Sequence, residues 1–474
     1  MGVYMNKKRS IVFTTVLASV LILGLILVSC KMAPEIQTVA IPTASTSGGA
    51  DASSRNVTLS TTTSGATIYY TIDGSAPTTT STQYTEAIPI DAAITLKAIA
   101  VKAGMNNSAV FTINFYIYSG STLSLGNGMY IKDVNDNGGV VVEMKGDPKQ
   151  ITNYYTTTQV SQITQKLYTV FADDFDSIII VMDNGEDYTA EVDNLHGINY
   201  RVSNAVGGIG TSQFSNSAAW GSAGKLKSVM AFPYRGGISS GPSLHEFCHN
   251  WAAFICPTYT GNPPDFASDL PYDGHWGISN AGGQLGGFKY IRVVEENSGG
   301  VTGKTKCQGS MYPPGPDGTF DNPGFGESSN HGNSVPYSDI ELYLMGMKSA
   351  NELRAINFTL DIYVGLSFND SEIEDGFFYA TGKISYTIDQ LIALNENGQR
   401  VPSAATSQKR FKVLTVFVSA ENSPDENYRS VTEDIKWFAN MPGYENKYQD
   451  LYNFSQATGG VGSLEVTGIK DSLK

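Results

Sequence analysis

The sequence predicts a multidomain chain, a small all-β sandwich followed by a larger α+β domain, and three observations carry that reading. Between Ser54 and Ile117, short runs of β-branched and aromatic residues alternate with turn signals. From Gly120 onward, apolar residues at helical spacing are interleaved with buried-strand patterns. Within that second part, Ser240–Ile255 combines helical periodicity with two histidines four residues apart. The length of 474 residues allows two or three domains, and 41% hydrophobic with 16% charged residues is the balance of a globular protein. A formal charge of −14, with no Lys/Arg cluster beyond the N-terminus, speaks against nucleic acid or anionic lipid as a partner.

Residues 1–29 read as a targeting segment. Lys7-Lys8-Arg9 form a basic n-region, Ile11 to Leu27 an apolar core, and Leu27-Val28-Ser29-Cys30 matches the bacterial lipobox that precedes a lipidated cysteine. An uncleaved membrane anchor is the alternative, since a run of ~17 residues is about long enough to span a bilayer. On the lipoprotein reading Cys30 is the mature N-terminus, and its acyl chains tether the protein to the cell envelope, facing outside the cytoplasm at the cell surface or in the periplasm. Residues 30–51, rich in Pro, Ala, Ser, Thr and Gly, are expected to be a structureless spacer.

Residues 52–118 carry the predicted sandwich, with strands at Val57–Thr61, Ala66–Ile72, Ile94–Val101 and Ala109–Phe115 and turns at Asp73-Gly74, Pro77 and Gly104 to Asn107. Gly65 to Thr78 and Thr95 to Ala100 resemble the chitobiase/β-hexosaminidase C-terminal type of module. That resemblance implies an accessory Ig-like domain, a spacer or a weak glycan contact, without glycosidase activity. Tyr69 and Tyr70 offer a stacking face for a sugar, or else pack across strands.

Residues 119–474 form the predicted α+β domain. Met129–Asp133 and Val140–Met144 flank Asn135 to Gly139 as a hairpin; a calcium loop opening at Asp133, with Asn135, Asn137 and then Gly138, is the alternative, against which its twelfth position is Met144 rather than Glu. Thr157 to Phe171 has helical apolar spacing, and Ser177 to Asp183 reads as a buried strand. His196 has no evident partner in the pattern and reads as structural or surface.

In Ser240–Ile255 the centre is His245-Glu246-Phe247-Cys248-His249. Ser240 is the expected N-cap with Pro242 in the first turn, while Leu244, Phe247, Cys248, Trp251 and Ile255 form an apolar stripe. Residues four apart share a helix face, so His245 and His249 aim two imidazoles at one point with Glu246 beside them. Imidazole nitrogens hold zinc at ~2.0–2.1 Å, and a catalytic site adds a third protein ligand and leaves a position open for water. Two core histidines are the bland alternative, weakened because the chain has only five histidines in all.

This stretch resembles the catalytic helix of the zincin metalloproteases. The resemblance implies a zinc-dependent endopeptidase acting on protein or peptide, with His245 and His249 as metal ligands and Glu246 as general base and acid. It also implies an upstream edge strand, for which Leu226–Tyr234 is the candidate. Metzincins continue with Gly and a third His, whereas Ala252 and Ile255 stand at those positions here, so the third ligand comes from elsewhere. His275, in a Gly-rich loop with Trp276 as anchor, is preferred over Glu341, Asp339 and His331. Glu341 is the principal alternative, either as a ligand or as the acceptor of a ligand histidine's second N–H.

Pro257 to Pro336 reads as long and irregular, and its Gly315–Asn322 run is a weak calcium candidate. Ser338 to Met347 reads as a capped helix or tight turn, with Met345-Gly346 either a floor beneath the metal or ordinary core. Tyr386 to Gly460, with helices at Ile388–Leu394, Val431–Phe438 and Tyr448–Phe454 and a strand at Phe411–Val418, is expected to complete the lower half of a cleft. Cys248 lies on the buried stripe, which leaves Cys256 with Cys307 as the preferred disulfide. Two competing functions remain: a glycan- or protein-binding lipoprotein with a structural metal site, and a zinc amidase acting on cell wall.

Overall fold

The structure is a computed structural model that describes residues 36–51, 55–147, 156–184, 197–210, 212–252, 275–296, 303–320, 332–367, 369, 372, 375–394 and 398–474. The chain is strand-rich with few helices and divides into two compact units, one holding Arg55–Ile90 and Ile94–Ile113 with the residues up to Ser47, the other mainly Asn114–Lys474. The lipobox and Cys30 lie outside the described residues.

In the first unit, Thr67–Thr71 pairs antiparallel with Ile94–Val101 on one side and Thr82–Gln83 on the other, and Arg55–Val57 pairs antiparallel with Ile88–Ile90. Val57, Ile68, Ile88, Ile90, Leu96, Ala98 and Ala100 are buried, the inward half of each alternating pattern. The expected spacer is ordered in its second half. Thr43–Ala44 pairs with Leu59–Ser60, and the Val39 N–H donates to the Asn106 carbonyl while the Val39 side chain is buried. Backbone pairing of this polar segment leaves no periodic signature, which is why composition alone reads it as linker. Tyr69 and Tyr70 lie opposite Ile99 and Ala98, and Tyr70 meets Tyr84 edge-on.

The second unit is built on a sheet in the order Ile198–Arg201, Ser228–Phe232, Ser177–Met182, Arg410–Ser419, Val141–Lys145, Met129–Ile131, Thr122–Gly126. The four strands from Ser228–Phe232 to Val141–Lys145 are parallel, and Ile198–Arg201 is antiparallel to its neighbour. Both faces are covered. Ile179, Val181, Met230, Phe232, Val413 and Phe417 face a core shared with Leu244, Phe247, Ile340 and Ile435, whereas Ile178, Ile180, Val229, Leu414 and Val416 face one shared with Val160 and Leu167. This explains why Ser177–Met182 is uniformly buried instead of alternating. The expected hairpin forms, with Met129 opposite Met144. The expected first helix spans Thr157–Leu167 and is closed by a Thr156/Gln159 capping box.

Four expectations are corrected. Leu226–Tyr234 does not hold the edge: Ser228–Phe232 is flanked on both sides, and Ile198–Arg201 is the outer strand among the described residues. The C-terminal part does not simply complete a lower half, because Arg410–Ser419 sits between two strands of the main sheet, where its two-sided apolar run is buried. The irregular reading of Pro257 to Pro336 misses Tyr290–Glu295 and Thr305–Ser310, which form a three-stranded antiparallel sheet with Phe377–Ala380. Helical structure near Tyr448 is confined to Phe454–Ala457, started by an Asn453/Gln456 capping box.

Candidate metal centre

The helix that carries the histidine motif spans Ser243–Cys248, with Pro242 at the N-cap and His249 at the C-cap. Ser240 is therefore not the cap. Proline has no side-chain acceptor, and a distant residue supplies one: Asn333 Oδ1 accepts the Leu244 N–H at 3.2 Å, while its amide donates to the Ile238 and Ser239 carbonyls and to Ser243 Oγ. Leu244, Phe247, Cys248 and Trp251 are buried as the stripe requires, and Phe247 packs its ring 5.6 Å from Phe411 and 4.9 Å from Phe454. Ile255 lies outside the described residues.

Packing of that face turns the two histidines toward His275. The Nε2 atoms of His249 and His275 each lie 3.1 Å from His245 Nε2, and the three possible ligand atoms are all within 4.8 Å of one another. Tetrahedral zinc at ~2.0–2.1 Å from each nitrogen would separate them by roughly 3.3 Å, close to the two separations measured from His245 Nε2, so the three histidines could hold a metal ion. The tautomer fits too: His245 Nδ1 lies 2.6 Å from the Gln284 carbonyl, so this nitrogen donates and Nε2 presents its lone pair to the cluster. Burial, followed by the neighbouring His275 and Arg201, pushes the His249 imidazole down to about 3, keeping it neutral as a ligand must be.

Glu246 follows His245 on the helix and is 7% exposed. Burial pushes its carboxyl up to about 8, and the Asn199 backbone N–H draws it partly back. Asn199 belongs to the outer strand, and its side-chain amide donates to the Glu246 backbone carbonyl and, at 3.4 Å, to Asn250 Oδ1. The outer strand and the motif helix are thus locked in register.

Glu341 stands outside the three-histidine cluster. Its helix, Asp339–Leu344, directs the carboxylate into the His275 loop, where Oε1 accepts Trp276 Nε1–H at 3.0 Å and Leu285 N–H at 2.7 Å, and Oε2 accepts Gln284 N–H at 3.0 Å and Ser338 N–H at 2.8 Å. Burial raises its pKa, opposed by these four donors. The expected bond from a ligand histidine goes instead to the Gln284 carbonyl. Asp339 pairs with Lys348, Met345 is buried in the apolar core, and Gly346 packs against Ser407 and Arg400. His196, His331 and Cys256 lie outside the described residues; Cys307 and Cys248 are buried free thiols. In the Gly315–Asn322 calcium candidate, Asp317 accepts from the Thr319 N–H and hydroxyl.

Asn199, Gln284 and Asn333 escaped the sequence reading because each acts through a contact 39 to 89 residues away or more. The glycine density around Gln284 was the one available signal.

Residues 46–112 match the chitobiase/beta-hexosaminidase C-terminal domain family, which places that module at the N-terminal end of the described chain. Comparison with curated proteins finds no match.

Proposed function

We propose that the protein is a zinc-dependent endopeptidase whose second unit is a zincin-like catalytic domain, held at the outer face of a membrane through lipid on Cys30. The observation that supports this best is the convergence of His245, His249 and His275 on one point, with the buried Glu246 on the same helix. These three imidazoles would hold the ion. Bound there, zinc supplies a Lewis acid that polarises a carbonyl and acidifies water. Glu246, next to His245 on the motif helix, would accept the proton of the attacking water and return it to the leaving amine. Asn199 ties the outer strand Ile198–Arg201 to the helix bearing Glu246, which fixes the motif helix against the sheet. The burial of Glu246 supplies the water-poor surroundings in which proton transfer is tuned toward neutral pH.

The test is metal analysis of the purified protein, together with digestion of an unfolded protein substrate and of cell-wall material. One zinc per chain and chelator-sensitive cleavage of the protein substrate are expected. Cleavage of cell-wall amides alone would move the reading to an amidase, and zinc without any hydrolysis would leave a binding protein with a structural metal.

A further inference from the structure

We propose that Glu341 is the positioning residue of this centre: a buried carboxylate that sets where His275 and His245 point without touching the metal, an inference that rests on the metal-site reading above. Its four hydrogen bonds bracket one loop. Trp276, adjacent to His275, is held through its indole N–H, and Gln284 and Leu285 are held through their backbone N–H groups. Gln284 then uses its carbonyl to accept from His245 Nδ1. One carboxylate therefore holds this segment both beside His275, through Trp276, and at Gln284, where the tautomer of His245 is chosen. The bond to Ser338 N–H closes the first turn of Glu341's own helix, so the carboxylate is itself anchored.

A second, independent feature of the loop is shaped to the same group. A Cβ at Gly283 would come within 2.0 Å of Glu341 Oε2 and 2.7 Å of Ser338 Oγ, so glycine is what lets the backbone reach the carboxylate. The chemistry also requires an acid. An ionised carboxylate only accepts, at about four lone-pair sites, and four N–H groups fill them. Glutamine of the same shape would turn an NH₂ group toward two of those donors. Glu341 is fully buried, with Ile340, Leu342 and Leu344 beside it in sequence also buried, so unmatched donors would not be rescued by solvent.

The experiment uses the full chain and the variants Glu341→Gln, Gly283→Ala and Trp276→Phe. Three quantities are read: zinc affinity by chelator competition, the visible band of the cobalt-substituted protein, and amide hydrogen exchange at Gln284, Leu285 and Ser338. Glu341→Gln should weaken zinc ~10–100-fold, shift the cobalt band and speed exchange at those three amides, while the amides of Arg410–Ser419 keep their protection. Gly283→Ala should move all three readouts the same way with every donor and acceptor still present. Trp276→Phe removes one donor of the four and leaves a small cavity where the buried indole was, while the three backbone donors remain, which preserves a folded case if Glu341→Gln does not fold. Zinc affinity and exchange unchanged in the variants, with wild-type protein binding zinc, would overturn the proposal alone. A wild-type protein that takes up no zinc overturns the metal reading and this proposal with it.

Discussion

The pocket around Glu246 and the loop around Glu341 both bury a carboxylate near the same three histidines, yet they furnish it in opposite ways. Among the described residues, the Asn199 backbone N–H is the one group that draws the Glu246 carboxyl back toward its ordinary value, and burial pushes it up to about 8. Glu341 has four N–H donors, three from the backbone and one from an indole. A carboxyl meant to exchange protons must be poorly compensated, because each donor stabilises the charged form and removes its basicity. A carboxyl meant to hold a loop must be saturated, because each missing donor is a buried polar group left unmatched. On the proposed function, the number of N–H groups aimed at each carboxylate is what separates the base, Glu246, from the loop anchor, Glu341.

The sharpest way to break this comparison is to remove the ligand that joins the two regions. His275→Ala should lose zinc nearly completely, since two imidazoles do not make a catalytic site, and metal analysis after dialysis reads the outcome directly. Retention of stoichiometric zinc by that variant would remove His275 from the ligand set. Next in size, Glu246→Gln should keep zinc while hydrolysis falls ~10²–10⁴-fold or more, because shape is preserved and the base is gone. Measured turnover at the wild-type rate would place Glu246 with the structural carboxylates.

A smaller effect tests a third kind of carboxylate. Asp176 is buried and pairs with Lys227 and, at 3.1 Å, with Lys225, with its other oxygen accepting the Lys412 N–H. Burial opposes its ionisation, but Lys227 and the hydrogen bonds hold its pKa below the ordinary value. Its contribution is therefore fully present above the unfolded value near ~3.9 and lost as pH falls through the lower folded value. Asp176→Asn should cost about 1.5–3 kcal/mol in urea unfolding at pH 7, and the gap to wild type should narrow once pH drops below about 4. A gap independent of pH would show that the charge is not what Asp176 contributes. The smallest expected change is at Asn333→Ala, which uncaps the motif helix: about 0.5–2 kcal/mol of stability, with zinc still bound but more weakly. Unchanged melting and unchanged zinc affinity would mean that Ser243–Cys248 needs no cap from that loop.

What the sequence determined by itself is local. Four-residue spacing places His245 and His249 on one helix face whatever surrounds them, and the run Ser177–Met182 is too uniformly apolar to be anything but buried. The antiparallel pairs flanking Asn135–Gly139 and the strands of the first unit follow likewise from short-range alternation and turn residues. His275 could be chosen over Glu341 only by weighing loop reach and the adjacent Trp276, since both residue types ligate zinc. Their roles diverge in the structure because four N–H groups are delivered to one of them, and those groups come from positions 3 to 65 residues away in the chain. Strand order was equally beyond pattern. Arg410–Ser419 looks the same in sequence whether it lies in a lower lobe or between Ser177–Met182 and Val141–Lys145, and Ile198–Arg201 takes the edge from Ser228–Phe232 only by pairing outside it. Periodicity reports which side of an element is apolar, while the partner that covers it is chosen by long-range packing and backbone pairing, which no local pattern encodes.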